Sequence, residues 1–306
     1  MSIYVFGHKN PDTDSIASAI AAADLLTQNG ENATPAMQGD MTPEAEFVLK
    51  RFGLGAPEKI ESVAGKDVAI VDTMAPNQLP ADIDGANVKY VFDHHQLGGL
   101  KTAAPLAIWA RPIGSTASVL YFAYKYFGRE IPKAIAGAML GAVLSDTMLF
   151  KSPTTTQYDR EAAENLAKTA GVKDIEALGL EMLKIKSSIE NDSADTLVRR
   201  DFKEIDVSGK LFGIGQIELV DLAMFDAKKA AVKERLRALK GEKKYFGVLF
   251  IIVDIMKEGS ILLSFTDDDA KVAGALGTKI ADGESEWIPG LMSRKKQVVP
   301  PLTEAF

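Results

Sequence analysis

The chain contains three histidines, and each stands beside aspartates at the end of an apolar run that reads as a strand. His8-Lys9-Asn10-Pro11-Asp12-Thr13-Asp14 follows Ile3 to Phe6, and Asp93-His94-His95 follows Val88 to Phe92. Between them, Asp72 ends the run Asp67 to Val71. In an open parallel sheet the carboxyl ends of the strands form the ligand crevice, so these distant segments are expected to converge. Carboxylates and imidazoles without any thiol suit manganese, cobalt or magnesium better than a structural zinc. Two ions about 3.5 to 4 Å apart can hold a bridging hydroxide and stabilise an in-line displacement at phosphorus. One carboxylate must then serve both ions, and Asp72 is the natural candidate because it lies between the two histidine-bearing segments.

Each feature also has an ordinary reading. Asp72 could close a turn, and Asp14 could cap a helix. Asp-His-His is harder to explain as packing. Asp146 lies at the end of the apolar run Ala138 to Ser145; a carboxylate buried there needs a compensating partner, which a metal, an arginine or a helix N-terminus could supply. Near the other end of the chain, Ser293-Arg294-Lys295-Lys296-Gln297 concentrates three cations. That run is either a solvated turn or a grip on phosphate oxygens through charge-assisted hydrogen bonds.

The elements that must position these residues alternate strand and helix through the first half, which predicts an α/β domain with a mainly parallel sheet flanked by helices. Helices are expected over Ser15 to Gln28, from Thr42-Pro43 to Gly53, after Pro112-Ile113-Gly114-Ser115 through Phe127, and from Thr156 to Ala170, with Ile131 to Phe150 a largely buried helical region. The polar stretch Ser187 to Thr196 lacks an apolar face and reads as a linker. This divides the chain into a metal-binding domain over 1–188, a linker over 189–195 and a second domain over 196–306. Strands at Leu211 to Gln216, Tyr245 to Ile255 and Ser260 to Phe265, with a helix over Asp221 to Leu239, make the second a smaller domain with a mixed sheet.

Composition sets the boundary conditions. With 306 residues, two cores are the better expectation than one. The absence of cysteine excludes disulfides and thiol nucleophiles and fits a reducing compartment. A net charge of −7 and a pI near 5.2 argue against a general nucleic-acid binder. No apolar run approaches the roughly 20 residues that span a bilayer, and the first residues carry no basic leader, so a cytoplasmic protein is expected.

Taken together, His8-x-x-Pro11-Asp12-x-Asp14, Asp72, Asp93-His94-His95, Ser145-Asp146 with Lys151-Ser152-Pro153-Thr154, and Ser293-Arg294-Lys295-Lys296-Gln297 resemble the family II, manganese-dependent inorganic pyrophosphatases of the Asp-His-His superfamily. The resemblance implies hydrolysis of inorganic pyrophosphate to two orthophosphates by a metal-bridged hydroxide, at a site between the two domains. It assigns His8, Asp12 and Asp72 to one metal and Asp14, Asp72, His94 and Asp146 to the other. It places His95, Lys203, Arg294 and Lys295 in substrate binding and catalysis. It further implies two manganese ions per subunit, cobalt as a substitute, magnesium arriving with the substrate, and a homodimer formed by the first domain. Thr73 and Met74, where the family commonly has His-Asn, and Gln96, where a basic residue often follows the histidine pair, depart from the pattern. Two rivals stand beside this reading. One is a phosphodiesterase of the same superfamily, whose glycine-rich, histidine-ending segment has no counterpart here, since no histidine follows His95. The other is a metal-binding protein without turnover.

Overall fold

The computed structural model describes residues 2–97 and 99–306, which divide into two compact units, 2–186 and 187–306. The first is built from β1 (Ile3–Phe6), α1 (Thr13–Gln28), β2 (Ala33–Met37), α2 (Pro43–Phe52), β3 (Glu58–Lys59), β4 (Asp67–Val71), β5 (Asn87–Asp93), β6 (Ala107–Ala110), α3 (Thr116–Phe127), α4 (Lys133–Asp146), α5 (Gln157–Ala170) and α6 (Ile175–Lys186). Its six strands are all parallel, in the order β3-β2-β1-β4-β5-β6. The order reverses between β1 and β4, and a crevice opens at their carboxyl ends at such a switch point. His8 and Asp72 leave those two strands.

Alternation along the strands sorts two apolar layers. Val5, Ala69, Val71 and Phe92 pack with residues of α1, α3 and α4. Phe6, Val68, Ile70 and Val91 pack on the other side with Val63, Met74, Leu79 and Ile83. Helix α4 is buried from Ile135 to Ser145, which is why its sequence is apolar around its whole circumference rather than along a stripe. Helix starts follow side-chain chemistry: Thr42 caps α2 with Pro43 in its first turn, Ser115 caps α3, and Thr156 with Asp159 forms a capping box on α5.

The second unit contains α7 (Ala194–Arg199), β7 (Phe202–Val207), β8 (Lys210–Leu219), α8 (Ala223–Lys243), β9 (Gly247–Asp254), β10 (Gly259–Thr266), α9 (Asp269–Ala275), β11 (Ile280–Ala281), β12 (Glu284–Ser285), β13 (Ile288–Pro289) and α10 (Val299–Ala305). Its sheet is mixed: β8 and β9 are parallel, the remaining pairings antiparallel, in the order β11-β12-β10-β9-β8-β7 with β13 also on β10. Strand β9 is buried at every position. The polar stretch over 187–196 enters α7, whose Leu197 and Val198 reach the core. Among the described residues no helix is long and apolar enough to cross a membrane.

Candidate metal centre

The β1–α1 turn carries the first cluster. Asp12 is the N-cap of α1, its carboxylate accepting from Ser15 N at 2.9 Å. Capping and metal binding are compatible here, because His8 Nε2 lies 3.7 Å from Asp12 Oδ2 and 3.3 Å from Asp72 Oδ2. Two residues on, Asp14 is wholly buried and does not cap its own helix. It instead accepts Thr116 N at 2.6 Å and Ala117 N at 2.9 Å, with the Ser18 and Ser115 hydroxyls each at 3.0 Å. The positive end of α3 thus holds Asp14 in place.

Asp72 leaves β4 with φ of 61°, a left-handed conformation that costs a non-glycine residue free energy. It is 2% exposed. Its Oδ2 faces His8, while its Oδ1 lies 3.5 Å from His94 Nε2 and receives the Thr116 hydroxyl at 3.0 Å. The two oxygens of one carboxylate therefore look toward two different imidazoles.

His94 explains what the cluster lacks. Its Nδ1–H donates to the Ile113 carbonyl at 2.9 Å, so in the neutral ring it is Nε2 that presents a lone pair to the cluster. That nitrogen is buried with no hydrogen-bond partner among the described residues, 3.5 Å from Asp72 Oδ1 and 3.7 Å from Asp146 Oδ2. A neutral Nε2 would turn its lone pair on two carboxylates, so a positive charge must lie there, either a proton on the ring or a cation held between the three groups. Asp146 poses the same demand, since it ends α4, where the helix dipole disfavours negative charge.

The ionisation equilibria agree. Burial, then the charges of Asp14, Asp12 and Asp72, push the Asp146 carboxyl well above the usual carboxylate range. Burial and the neighbouring Asp72 raise Asp14 to about 6. Burial opposes charge on His8 and His94, but their aspartate neighbours outweigh it and raise them to about 10 and about 9. Burial likewise opposes charge on Asp72, and the two imidazoles overcome it and bring it down to about 2. The cluster is short of positive charge, which divalent ions would supply. Two groups of donor atoms, His8–Asp12–Asp72 and Asp14–Asp72–His94–Asp146, each lie within 4.8 Å of one another and share Asp72. Oxygen and imidazole donors in these numbers fit manganese.

His95 is half exposed and stands at a cleft of about 380 Å³ lined also by His8, Asp72, Thr73 and Gln96. Its Nδ1 lies 2.9 Å from Asp93 Oδ1, and that oxygen also accepts the His94 and His95 amides, so the hydrogen bond to Asp93 raises the His95 pKa. The departures at 73 and 74 have local reasons: the Thr73 hydroxyl accepts Ala75 N and closes the turn, and Met74 joins the apolar layer under the strands.

In the second unit, Arg294 follows the N-cap Ser293 in a short π-helical turn. Its guanidinium donates to the Asp201 and Ile214 carbonyls at 2.7 and 3.1 Å and to Asp201 Oδ1 at 2.9 Å. Gln297 ties the same loop by accepting Met292 N and Ser293 N and donating to the Gly290 carbonyl. Lys295 and Lys203 are exposed. The sequence reading gave no role to Asp93, Ser115, Thr116 or Glu44. Asp93 was legible as the first letter of Asp-His-His and Ser115 as a helix cap, whereas nothing in the sequence marks Thr116 or Glu44.

Comparison with known proteins agrees with this geometry. The family model of the DHH N-terminal domain matches residues 2–143 and that of the DHHA2 domain matches 180–305. A "Probable manganese-dependent inorganic pyrophosphatase" of Archaeoglobus fulgidus is 44% identical across 99% of this chain and 98% of its own. The manganese-dependent inorganic pyrophosphatase of Methanocaldococcus jannaschii is 43% identical over 99% of both chains. A crystal structure of a Methanococcus jannaschii "putative family II inorganic pyrophosphatase" superposes with a TM-score of 0.65 at 41% identity, covering 100% of this chain and 99% of that one.

Proposed function

The chain belongs to the manganese-dependent inorganic pyrophosphatases of the DHH family, and on that footing we propose that it hydrolyses inorganic pyrophosphate to two orthophosphates at two divalent ions that share Asp72. The observation that carries this reading is the division of the Asp72 carboxylate, one oxygen toward His8 and the other toward His94, with a separate donor group on each side.

When bound, two such ions supply Lewis acidity, lowering the pKa of water and neutralising charge on phosphoryl oxygens. The chain's part is to hold and orient. His8 and Asp12 complete one ligand set with Asp72, and Asp14, His94 and Asp146 complete the other. Ile113 fixes the tautomer of His94, and the α3 amides fix Asp14, so these donors are set before any ion arrives. His95, oriented by Asp93, binds the substrate beside the cleft and gives a proton to the departing phosphate. Lys203 and Lys295 contribute exposed ammonium groups to the phosphate oxygens, and Arg294 joins them on releasing the Asp201 carboxylate. Cobalt should substitute for manganese, with magnesium arriving on the substrate.

Residence in the cytoplasm and a homodimer are further parts of this reading. Support for the dimer comes from β6, the edge strand of the first sheet, where Ile108 is exposed, and from Tyr126 and Phe127 at the end of α3, which pack on Trp109 of β6 and are also exposed.

The test is phosphate release from pyrophosphate after chelation and return of single metals, run beside a dinucleotide. We expect no release without metal, restoration by manganese or cobalt above zinc, and an intact dinucleotide. Preferential cleavage of the dinucleotide would transfer the chain to the phosphodiesterases. Manganese binding without phosphate release would leave a binding protein.

A further inference from the structure

Glu44 is a carboxylate in the first turn of α2, only 2% exposed, and belongs to neither donor group. Its Oε2 accepts the Thr13 hydroxyl and the Ser145 hydroxyl, both at 2.7 Å. Thr13 stands between Asp12 and Asp14, and Ser145 immediately precedes Asp146. Lys186, the last residue of α6, donates to the Ser145 hydroxyl at 2.9 Å and lies 3.9 Å from Glu44 Oε2. The other oxygen, Oε1, is buried and has no hydrogen-bond partner among the described residues. Burying a charged group with half its capacity unused is costly, and an apolar side chain packed against α4 would meet no such cost. The cost makes sense if the carboxylate does something that packing cannot.

We propose that Glu44 is a positioning residue for the metal centre. A single oxygen ties the start of α1 to the end of α4, and those two backbone segments carry Asp12, Asp14 and Asp146. Hydrogen bonds to a charged acceptor are stronger and more directional than those between neutral groups. The tie fixes the separation between segments whose own carboxylates repel one another, and therefore holds the donors together before the ions arrive. Lys186, 3.9 Å from the same oxygen, supplies the compensating charge. Glu44 touches neither ions nor substrate; it acts through Thr13 and Ser145.

This rests on the metal reading of the site. It is tested by measuring manganese affinity on metal-free, full-length protein, counting free manganese by electron paramagnetic resonance, with thermal unfolding of the same samples. Glu44→Ala should weaken manganese binding by about 10–100-fold, the usual effect of losing a partner that orients metal ligands. Glu44→Gln keeps a carbonyl oxygen for both hydroxyls and should recover most of that affinity. Thr13→Val and Ser145→Ala each remove one of the two ties and should each weaken binding. They decide the question should Glu44→Ala fail to fold. Parent affinity in folded Glu44→Ala, or in both hydroxyl variants, would overturn the proposal while leaving the metal centre intact. A parent protein that binds no manganese would overturn both.

Discussion

Asp72 combines three costs that a structural residue would avoid: a left-handed backbone, near-complete burial, and a charge kept on the carboxylate. Such strain persists where the surroundings over-determine it, and sites of chemistry are where it gathers. Asp72→Asn keeps the shape but replaces one ligand oxygen with a donor that cannot bind a cation. It should lose at least one manganese and most activity, by more than the roughly 10–100-fold that losing an outer partner costs. Unfolding should change little, as judged by metal analysis, steady-state kinetics and circular dichroism. Normal metal content together with normal turnover would remove Asp72 from the bridging role. At this scale the sequence was most legible where residues are scarce and chemically specific. Three histidines beside aspartates at strand ends announced a convergence that the structure displays. Glu44 was invisible for the opposite reason: an acid in a helix's first turn is what the helix dipole favours anywhere. Arg294 was legible as a cation, but its engagement with Asp201 and Ile214 depends on contacts across about 80 residues of chain, which no local pattern encodes.

Elements bring these residues together through close approach as much as through topology. Gly137 and Gly141, one turn apart on α4, open the surface on which α2 rests: a methyl group on Gly137 would fall 2.1 Å from the Phe52 ring, and one on Gly141 2.9 Å from Val48. That contact sets where Glu44, at the other end of α2, meets Ser145 at the end of α4. Gly137→Ala should gain about 1 kcal/mol of helix propensity but lose about 1–3 kcal/mol to overpacking. The expected net effect is a lower unfolding midpoint together with weaker manganese binding. An unchanged midpoint with unchanged binding would show that α2 shifts freely and does not transmit to the centre. The first sheet and its helices were readable because buried parallel strands and capped helices leave strong local signals. In the second unit, α7 is six residues long and β11 to β13 are two residues each, too short to display a period. Strand β7, at the sheet edge, is charged at three of its six positions, with Lys203 and Glu204 adjacent, so its sequence carries no clean alternation.

For the whole molecule, a net charge of −7 must be reconciled with a substrate that is itself an anion. The ions answer this in the first unit, and the basic segment at 294–296 is proposed to answer it in the second. Every proposed metal ligand lies in the first unit and Lys295 in the other, so Lys295→Ala should leave manganese content at the parent level. Removing one preorganised charge from the phosphate oxygens should cost about 3 kcal/mol, on the order of a hundredfold in rate. Parent kinetics in this variant would make the segment a surface turn. The central claim, that turnover needs two ions joined through one carboxylate, is tested most directly by returning manganese stepwise to metal-free protein while measuring bound manganese per chain and phosphate release from pyrophosphate on the same samples. Release should stay low until the second equivalent binds and level off when both sites are filled. Full turnover by the metal-free chain, or with one manganese per chain, would contradict the account.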